Sequence, residues 1–220
     1  MTDSGYPAAV LWDLDGTIVD TEPLWIDAER DLAKRHDAEW TTDDALRLVG
    51  NDLLDSGRYI RERMGLEMSA QDVVDELVTV MAERMAGPVE WRPGALDLLT
   101  DLREHRVPTA LVTMSYRAIV EPLLQKLPDG TFDAVVVGDE VSDGKPHPAP
   151  YLTAARVLGV EPSACVAIED SPTGAASAEA AGCRVLAVPH HVPVPASPRR
   201  TSVDSLEGLD ARGLLLAATA

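Results

Sequence analysis

The sequence predicts an α/β fold in which a doubly wound parallel sheet carries an inserted helical cap. Short apolar, β-prone runs alternate with helix-length segments along the 220-residue chain, which is the pattern of parallel strands covered by helices on both faces. A long charged stretch, residues 21–90, lacks a convincing strand and interrupts this alternation. We therefore predict a core formed by residues 1–20 and 91–220 and a helical cap formed by residues 21–90.

The predicted elements follow from the apolar pattern. The strands are residues 8–14, 110–113, 134–138, 165–168 and 184–188. The core helices are residues 94–104, 117–126, 149–158 and 174–181, and the cap helices are residues 24–35, 43–49, 53–64 and 69–85. Ser69 with Asp72 three residues later indicates a helix start of the capping-box type. The proline-rich stretch after Pro189 predicts a surface loop before a last apolar helix or strand.

Composition excludes several classes of function. The chain has 37 acidic and 19 basic residues, so its surface repels phosphate backbones and we expect no nucleic-acid partner. No apolar run reaches the length of about 18 residues that a membrane span needs. The opening residues lack the features of a secretory signal, which predicts a cytoplasmic protein. Cys165 and Cys183 are predicted to be buried reduced thiols, and the acidic surface favours a monomer.

Polar residues stand where the predicted strands end. In an open parallel sheet the carboxyl ends of the strands meet at one edge, and ligands bind there near the point where strand order reverses. We therefore expect these side chains to converge on one site. They are Asp13, Asp15, Thr113, Lys145, Glu169 and Asp170.

Converging carboxylates of this kind favour phosphoryl-transfer chemistry. They need a cation, and hard oxygen ligands favour Mg²⁺. Asp13 and Asp15 stand two apart on an extended segment, so both can face one pocket. One can attack phosphorus to form an aspartyl-phosphate, while the other protonates the leaving oxygen and later deprotonates water. Lys145 and the Thr113 hydroxyl can neutralise the phosphoryl oxygens.

These residues occur in motifs that resemble a known family. Asp13-Leu14-Asp15-Gly16-Thr17, an apolar strand ending at Thr113, Lys145 in "DGKPHP" and Glu169-Asp170 in "IEDSPTG" resemble, in order, the four motifs of the haloacid dehalogenase superfamily. The helical insert lies where that family carries its α-helical cap. The resemblance is greatest to its subgroup of β-phosphoglucomutases, phosphoglycolate phosphatases and small sugar-phosphate phosphatases.

The resemblance implies a role for each site residue. Asp13 would be the nucleophile and Asp15 the general acid and base. Thr113 and Lys145 would bind the phosphate. The Mg²⁺ ligands would be Asp13, the backbone carbonyl of Asp15, and Asp170 with Glu169 in support.

The predicted function is a Mg²⁺-dependent phosphatase that hydrolyses a small phosphate ester, with a sugar phosphate favoured. Asp15 speaks against an aliphatic dehalogenase, which has no need of a second acid. In "DTEPLW", Trp25 stands where the resemblance places the histidine of the mutases, so a hydrolase is favoured over a phosphomutase. A β-phosphoglucomutase-type phosphomutase and a catalytically silent relative that binds a metal or a partner stay open as alternatives.

Two further sets of residues bear on this interpretation. Residues of the cap that could contact the leaving group are Glu22, Trp25, Arg47, Asn51 and Arg58. Histidines that we interpret as loop residues rather than metal ligands, because no strand-end acid joins them at ligand spacing, are His147, His190 and His191.

Overall fold

A six-stranded parallel sheet forms the centre of the computed structural model, which describes residues 5–218. The strands, in chain order, are β1 (Ala9–Trp12), β2 (Val19–Asp20), β3 (Glu90–Trp91), β4 (Thr109–Val112), β5 (Ala134–Val136), β6 (Cys165–Glu169), β7 (Arg184–Ala187) and β8 (Arg200–Ser202). The helices are α1 (Glu22–Arg35), α2 (Thr42–Leu46), α3 (Leu53–Met64), α4 (Ala70–Ala86), α5 (Ala95–Glu104), α6 (Arg117–Leu124), α7 (Ala149–Leu158), α8 (Pro172–Ala180) and α9 (Ala211–Ala217).

The strand order of the sheet is β5-β4-β1-β6-β7-β8, and every neighbouring pair is parallel. The chain runs from β1 outward through β4 to β5 and then returns to place β6 on the other side of β1. Strand order therefore reverses at β1, and the carboxyl end of this strand is where a ligand is expected. The predicted α/β, doubly wound fold class is confirmed.

The apolar run of β1 is continuous because both faces of the sheet are covered. Val10 and Trp12 belong to one core, which also contains Leu98 and Leu102 of α5. Ala9 and Leu11 point the other way into a second core with Tyr151 of α7 and Ala175 of α8. All four β1 residues are fully buried, so the strand holds whatever follows it in a fixed position.

The helices α1–α4 lie between two short strands that pair with each other. Val19 of β2 pairs with Trp91 of β3 in an antiparallel ladder, so the chain leaves and re-enters the main sheet through one ribbon. α4 begins after Ser69, and Ser69 and Asp72 accept hydrogen bonds from each other's backbone N–H, forming the expected capping box. The bounds of α3 and α7 agree with the predicted ranges 53–64 and 149–158.

The segment after Pro189 departs from the prediction of a plain loop. It contains β8, which adds a sixth parallel strand by pairing Leu186 with Thr201. The sequence of β8, Arg-Thr-Ser, carries no apolar pattern, because this edge strand is held by its pairing to β7 and not by burial of its own side chains. The predicted apolar element after it is the helix α9.

The cysteines are free and buried, as the sequence predicts. Burial raises the pKa of the Cys165 thiol to about 11 and that of Cys183 to about 12, which keeps both thiols protonated and unreactive at neutral pH. None of the described helices is long and apolar enough to cross a membrane.

Two glycines provide a test of how closely the layers pack. Gly94, just before α5, has φ +80°, and a Cβ there would lie 2.3 Å from the backbone carbonyl carbon of Leu206. Gly130 has φ +75° but open space around it. We expect Gly130→Ala to cost about 1 kcal/mol through its left-handed backbone alone. Gly94→Ala should cost about 2 kcal/mol more, because the added methyl group must displace backbone.

Urea unfolding of the two variants measures this difference. Equal losses of unfolding free energy would show that the contact between Gly94 and the Leu206 segment does not constrain the fold.

Candidate active site

A cavity lies at the carboxyl end of β1, between the sheet and the helices α1–α4. Its floor includes Asp13, Asp15, Lys145 and Asp170, which reach it from the segments that follow β1, β5 and β6. Thr113 and Glu169 are fully buried beneath this floor and do not line the cavity. The structure therefore brings together the polar residues that the sequence placed at strand ends.

Among the described residues, Lys145 is the one lysine or arginine of the floor, and it is held between two carboxylates. Its Nζ donates to Asp13 Oδ1 at 2.7 Å and to Glu169 Oε1 at 2.6 Å, and its side chain is 2% exposed. Tyr151 OH donates to the same Glu169 oxygen at 2.5 Å, and Ser171 Oγ lies 3.3 Å from the other. Burial alone would lower the Lys145 pKa, but the charges of Asp13 and Glu169 raise it, so the ammonium stays charged.

Asp13 is positioned but not fully neutralised. Its second oxygen, Oδ2, accepts a hydrogen bond from Thr17 Oγ1 at 2.9 Å. Burial and the charge of Glu169 raise the Asp13 pKa to about 7, and the Lys145 charge opposes this rise. One lysine is thus too little positive charge for the carboxylates that surround Asp13.

The donor set fits a divalent cation. Asp13, Glu169 and Asp170 each offer a carboxylate oxygen, and these oxygens lie within 4.8 Å of one another. Burial and the charge of Asp13 hold the Asp170 pKa well above its usual range. The turn at Gly16 also approaches Asp170 so closely that a Cβ there would lie 2.1 Å from Asp170 Oδ2. Excess negative charge with oxygen donors suits Mg²⁺.

Asp15 connects the core to the helices α1–α4. Its Oδ1 accepts hydrogen bonds from Thr21 Oγ1 at 2.7 Å and from Trp25 Nε1 at 3.4 Å, and both donors stand at the start of α1. Its Oδ2 accepts from Thr113 Oγ1 at 3.1 Å and from Ser115 Oγ at 2.8 Å. Asp15 is therefore fixed from both sides of the cavity.

Several residues of the site were missed by sequence reasoning. Thr113 also accepts a hydrogen bond from Ser115 N, and the closeness of Ser115 in sequence is the only signal that could have suggested it. Tyr151 lies inside α7, where an aromatic residue gives no sign of a buried carboxylate partner. The missed hydroxyl donors are Thr17, Thr21, Ser115, Tyr151 and Ser171.

The candidate leaving-group residues divide into two sets. Glu22, Trp25 and Asn51 line the cavity. Arg47 and Arg58 are exposed and do not line it, so including them was wrong. Arg58 instead pairs with Asp55 one turn earlier on α3.

His190 and His191 lie in a loop, as the sequence predicts, but an acid that the sequence did not indicate contacts both of them. Asp20 of β2 joins both: its Oδ2 lies 3.0 Å from His190 Nε2 and its Oδ1 lies 3.0 Å from His191 Nε2. The acid comes from the ribbon of β2 and β3 rather than from a strand end of the main sheet, so strand-end reasoning could not find it. His147 lies apart from this group, beside α7.

Comparison with known proteins identifies the class. Residues 10–188 match the family model of haloacid dehalogenase-like hydrolases, and the chain belongs to this family. It is 34% identical over 185 residues to a bifunctional riboflavin kinase/FMN phosphatase of Arabidopsis thaliana, covering 83% of this chain and 48% of that protein. It is 31% identical over 188 residues to a phosphorylated carbohydrates phosphatase of Thermotoga maritima, covering 83% and 85%.

A solved structure has the same architecture. CbbY from Rhodobacter sphaeroides, in complex with phosphate, matches with a TM-score of 0.83 and 26% identity over 94% of this chain and 99% of that one. The chain spans about half of the Arabidopsis protein and most of the other two. With phosphatases among its relatives, the protein is a phosphoric monoester hydrolase of this family.

Replacing Asp13 and replacing Lys145, the two partners of the buried ion pair, should change the stability of the fold in opposite directions. In Mg²⁺-free buffer at pH 8, Asp13→Asn should raise the melting temperature, because it removes a carboxylate whose folded pKa of about 7 exceeds its ordinary value. The stability contributed by such a group is fully present below about pH 4 and is lost as the pH rises through 7. The Asp13 carboxylate therefore costs less stability at pH 5 than at pH 8, and Asp13→Asn should raise the melting temperature less at pH 5. Lys145→Met should cost about 3–5 kcal/mol, because it leaves Asp13 and Glu169 without their cation.

Calorimetry at the two pH values makes the measurement, with the exposed residues Asp129→Asn and Lys34→Met as matched controls. A stability loss in Asp13→Asn at pH 8 would contradict this description of the site.

Proposed function

We propose that this protein is a Mg²⁺-dependent phosphatase that hydrolyses a small sugar phosphate through an aspartyl-phosphate on Asp13. The observation that carries the proposal is the Asp13 carboxylate, which lines the cavity while Lys145 holds one of its oxygens at 2.7 Å. The phosphorylated carbohydrates phosphatase among its relatives supports a sugar phosphate as the substrate class.

Asp13, Asp170 and the backbone carbonyl of Asp15 would hold the Mg²⁺, and Glu169 would chiefly hold Lys145. The bound ion would neutralise the phosphoryl oxygens of the substrate. Glu169 is the least available of the predicted ligands, since Lys145 and Tyr151 already donate to one of its oxygens.

The side chains of this site would carry out two displacements. In the first, an Asp13 oxygen bonds to phosphorus, the ester P–O bond breaks, and the leaving oxygen takes a proton from Asp15. In the second, Asp15 takes a proton from water, the water oxygen bonds to phosphorus, and the bond from phosphorus to Asp13 breaks. The Lys145 ammonium offsets negative charge beside Asp13 in both steps.

We also propose that residues 21–90 act as a cap over a core of residues 1–20 and 91–220. The paired strands β2 and β3 would be the hinge, because both connections between the two parts run through them. Contact between the parts at Asp15, Thr21 and Trp25 would couple closure to the acid and base.

The kinetic test uses p-nitrophenyl phosphate and a panel of sugar phosphates. Mg²⁺ should support phosphate release, and chelation should abolish it. Asp13→Asn should lower kcat by at least about 10³-fold, as loss of a nucleophile does. Asp15→Asn should lower it by about 10²–10⁴-fold, the usual contribution of a general acid and base. Asp129→Asn, an exposed carboxylate, should leave kcat unchanged.

Mass spectrometry of the products separates the alternatives. Free phosphate with an unphosphorylated sugar supports the phosphatase. An isomerised sugar phosphate would instead establish a phosphomutase, and no turnover on any ester would indicate a silent relative that binds a metal or a partner.

A further inference from the structure

The part of the cavity formed by α1–α4 and their loops is acidic and apolar. Two carboxylates of α1, Glu22 and Glu29, line it, and aliphatic side chains form most of the remaining wall. These aliphatic residues include Leu48, Leu53, Ile60 and Leu77. A leaving group that enters this chamber meets negative charge and hydrocarbon.

The same part of the chain provides no cation to the chamber. Among the described residues that line the cavity there is no arginine, and the single lysine, Lys145, belongs to the floor. Arginines of α3 and α4 turn outward to other partners: Arg63 Nε lies 3.0 Å from Asp44, and Arg84 Nη2 lies 2.9 Å from Asp31. His191, at the edge of the cavity, is held by Asp20.

Glu29 is a polar residue of the chamber whose carboxyl group is held in place by its neighbours. It is 4% exposed, and its Oε2 accepts a hydrogen bond from Trp40 Nε1 at 2.8 Å. The Trp40 ring packs edge-on against Tyr59 of α3 at 5.9 Å, so three segments fix the carboxyl group. Its other oxygen has no hydrogen-bond partner within the described part of the chain. This oxygen is open to the cavity, so a hydroxyl group of a ligand can donate a hydrogen bond to it.

We infer that this chamber selects an uncharged, hydroxyl-bearing leaving group that carries a single phosphate, and that Glu29 accepts a hydrogen bond from one of its hydroxyls. The inference rests on the proposed phosphatase function and specifies its substrate class. A second phosphate or a carboxylate on the leaving group would lose its hydration and meet Glu22 and Glu29 with no arginine or lysine of residues 21–90 to compensate it, while His191 already pairs with Asp20. A sugar alcohol or a neutral sugar presents hydroxyl donors to the free oxygen and carbon–hydrogen surface to the aliphatic wall.

The raised pKa values of Glu22 and Glu29 agree with this inference. Burial raises the pKa of Glu29 to about 7, against the opposing effect of the Trp40 hydrogen bond, and the charge of Glu22 adds to the rise. Burial likewise raises the pKa of Glu22 to about 7. An anion in the chamber would raise both further, whereas a hydroxyl group can pair with either form of the carboxyl group.

Two substrates that differ at one carbon test the inference. Glucitol 6-phosphate ends in a hydroxymethyl group where 6-phosphogluconate ends in a carboxylate. We expect kcat/KM for the sugar alcohol phosphate to exceed that for 6-phosphogluconate by at least about 30-fold, the equivalent of about 2 kcal/mol. In Glu29→Gln, which keeps an acceptor for Trp40 but removes the charge, this ratio should fall at least about fivefold.

The ratio is taken within each variant, so a loss of folded enzyme cancels. Glu83→Gln on the exposed surface of α4 is the matched control and should keep the parent ratio. A parent ratio near one, or an unchanged ratio in Glu29→Gln, would overturn the inference.

Assays with p-nitrophenyl phosphate distinguish a failure of the chamber inference from a failure of the proposed phosphatase function. If Mg²⁺-dependent release of p-nitrophenol occurs but the sugar alcohol phosphate is not preferred, the phosphatase stands and the chamber inference is wrong. If no ester is cleaved, the proposed function fails and the inference falls with it.

Discussion

The site depends on a lysine buried between two carboxylates. Lys145 comes from a loop after β5, Asp13 from the end of β1 and Glu169 from the end of β6, so the ion triad joins three segments of the sheet edge. Charges so fully removed from water are tolerated only when they are paired and hydrogen-bonded. Tyr151 and Thr17 supply the additional donors, one to each carboxylate. The result is a carboxylate of fixed orientation that still faces the cavity.

The same arrangement leaves an excess of negative charge at the strand ends, and this excess is what makes the sheet edge suitable for a chemical reaction. Asp13 and Asp170 have raised pKa values because burial and neighbouring acids outweigh Lys145. A protein built for stability alone would replace one of these acids. Their presence at the point where strand order reverses supports the proposed site, which a cation and an anionic substrate would complete. Asp15, anchored from both α1 and the segment after β4, then places the second acid across the same cavity.

Much of this could be predicted from the sequence, because strong local signals marked it. Continuous apolar runs gave the buried strands, and α3 and α7 were predicted to the residue. The polar residues at strand ends were predictable because parallel strands bring their carboxyl ends to one edge. The strand β8 could not be predicted, because an edge strand of polar residues forms only through its pairing with the neighbouring strand. Glu29 and Tyr151 were missed for a related reason. The hydrogen-bond partner of each lies far away in the sequence, and nothing in the sequence of its own helix marks either residue as part of a site.

The central claim is that Asp13 itself becomes phosphorylated, and chemical trapping tests it directly. Aspartyl-phosphate is reduced by borohydride to homoserine, whereas a free aspartate is not. The enzyme is quenched during turnover of a phosphate ester with Mg²⁺, reduced, digested and sequenced by mass spectrometry. This account predicts homoserine at position 13 and nowhere else among the acids of the cavity. Reduction at another acid, or no reduction while phosphate is being released, would contradict it.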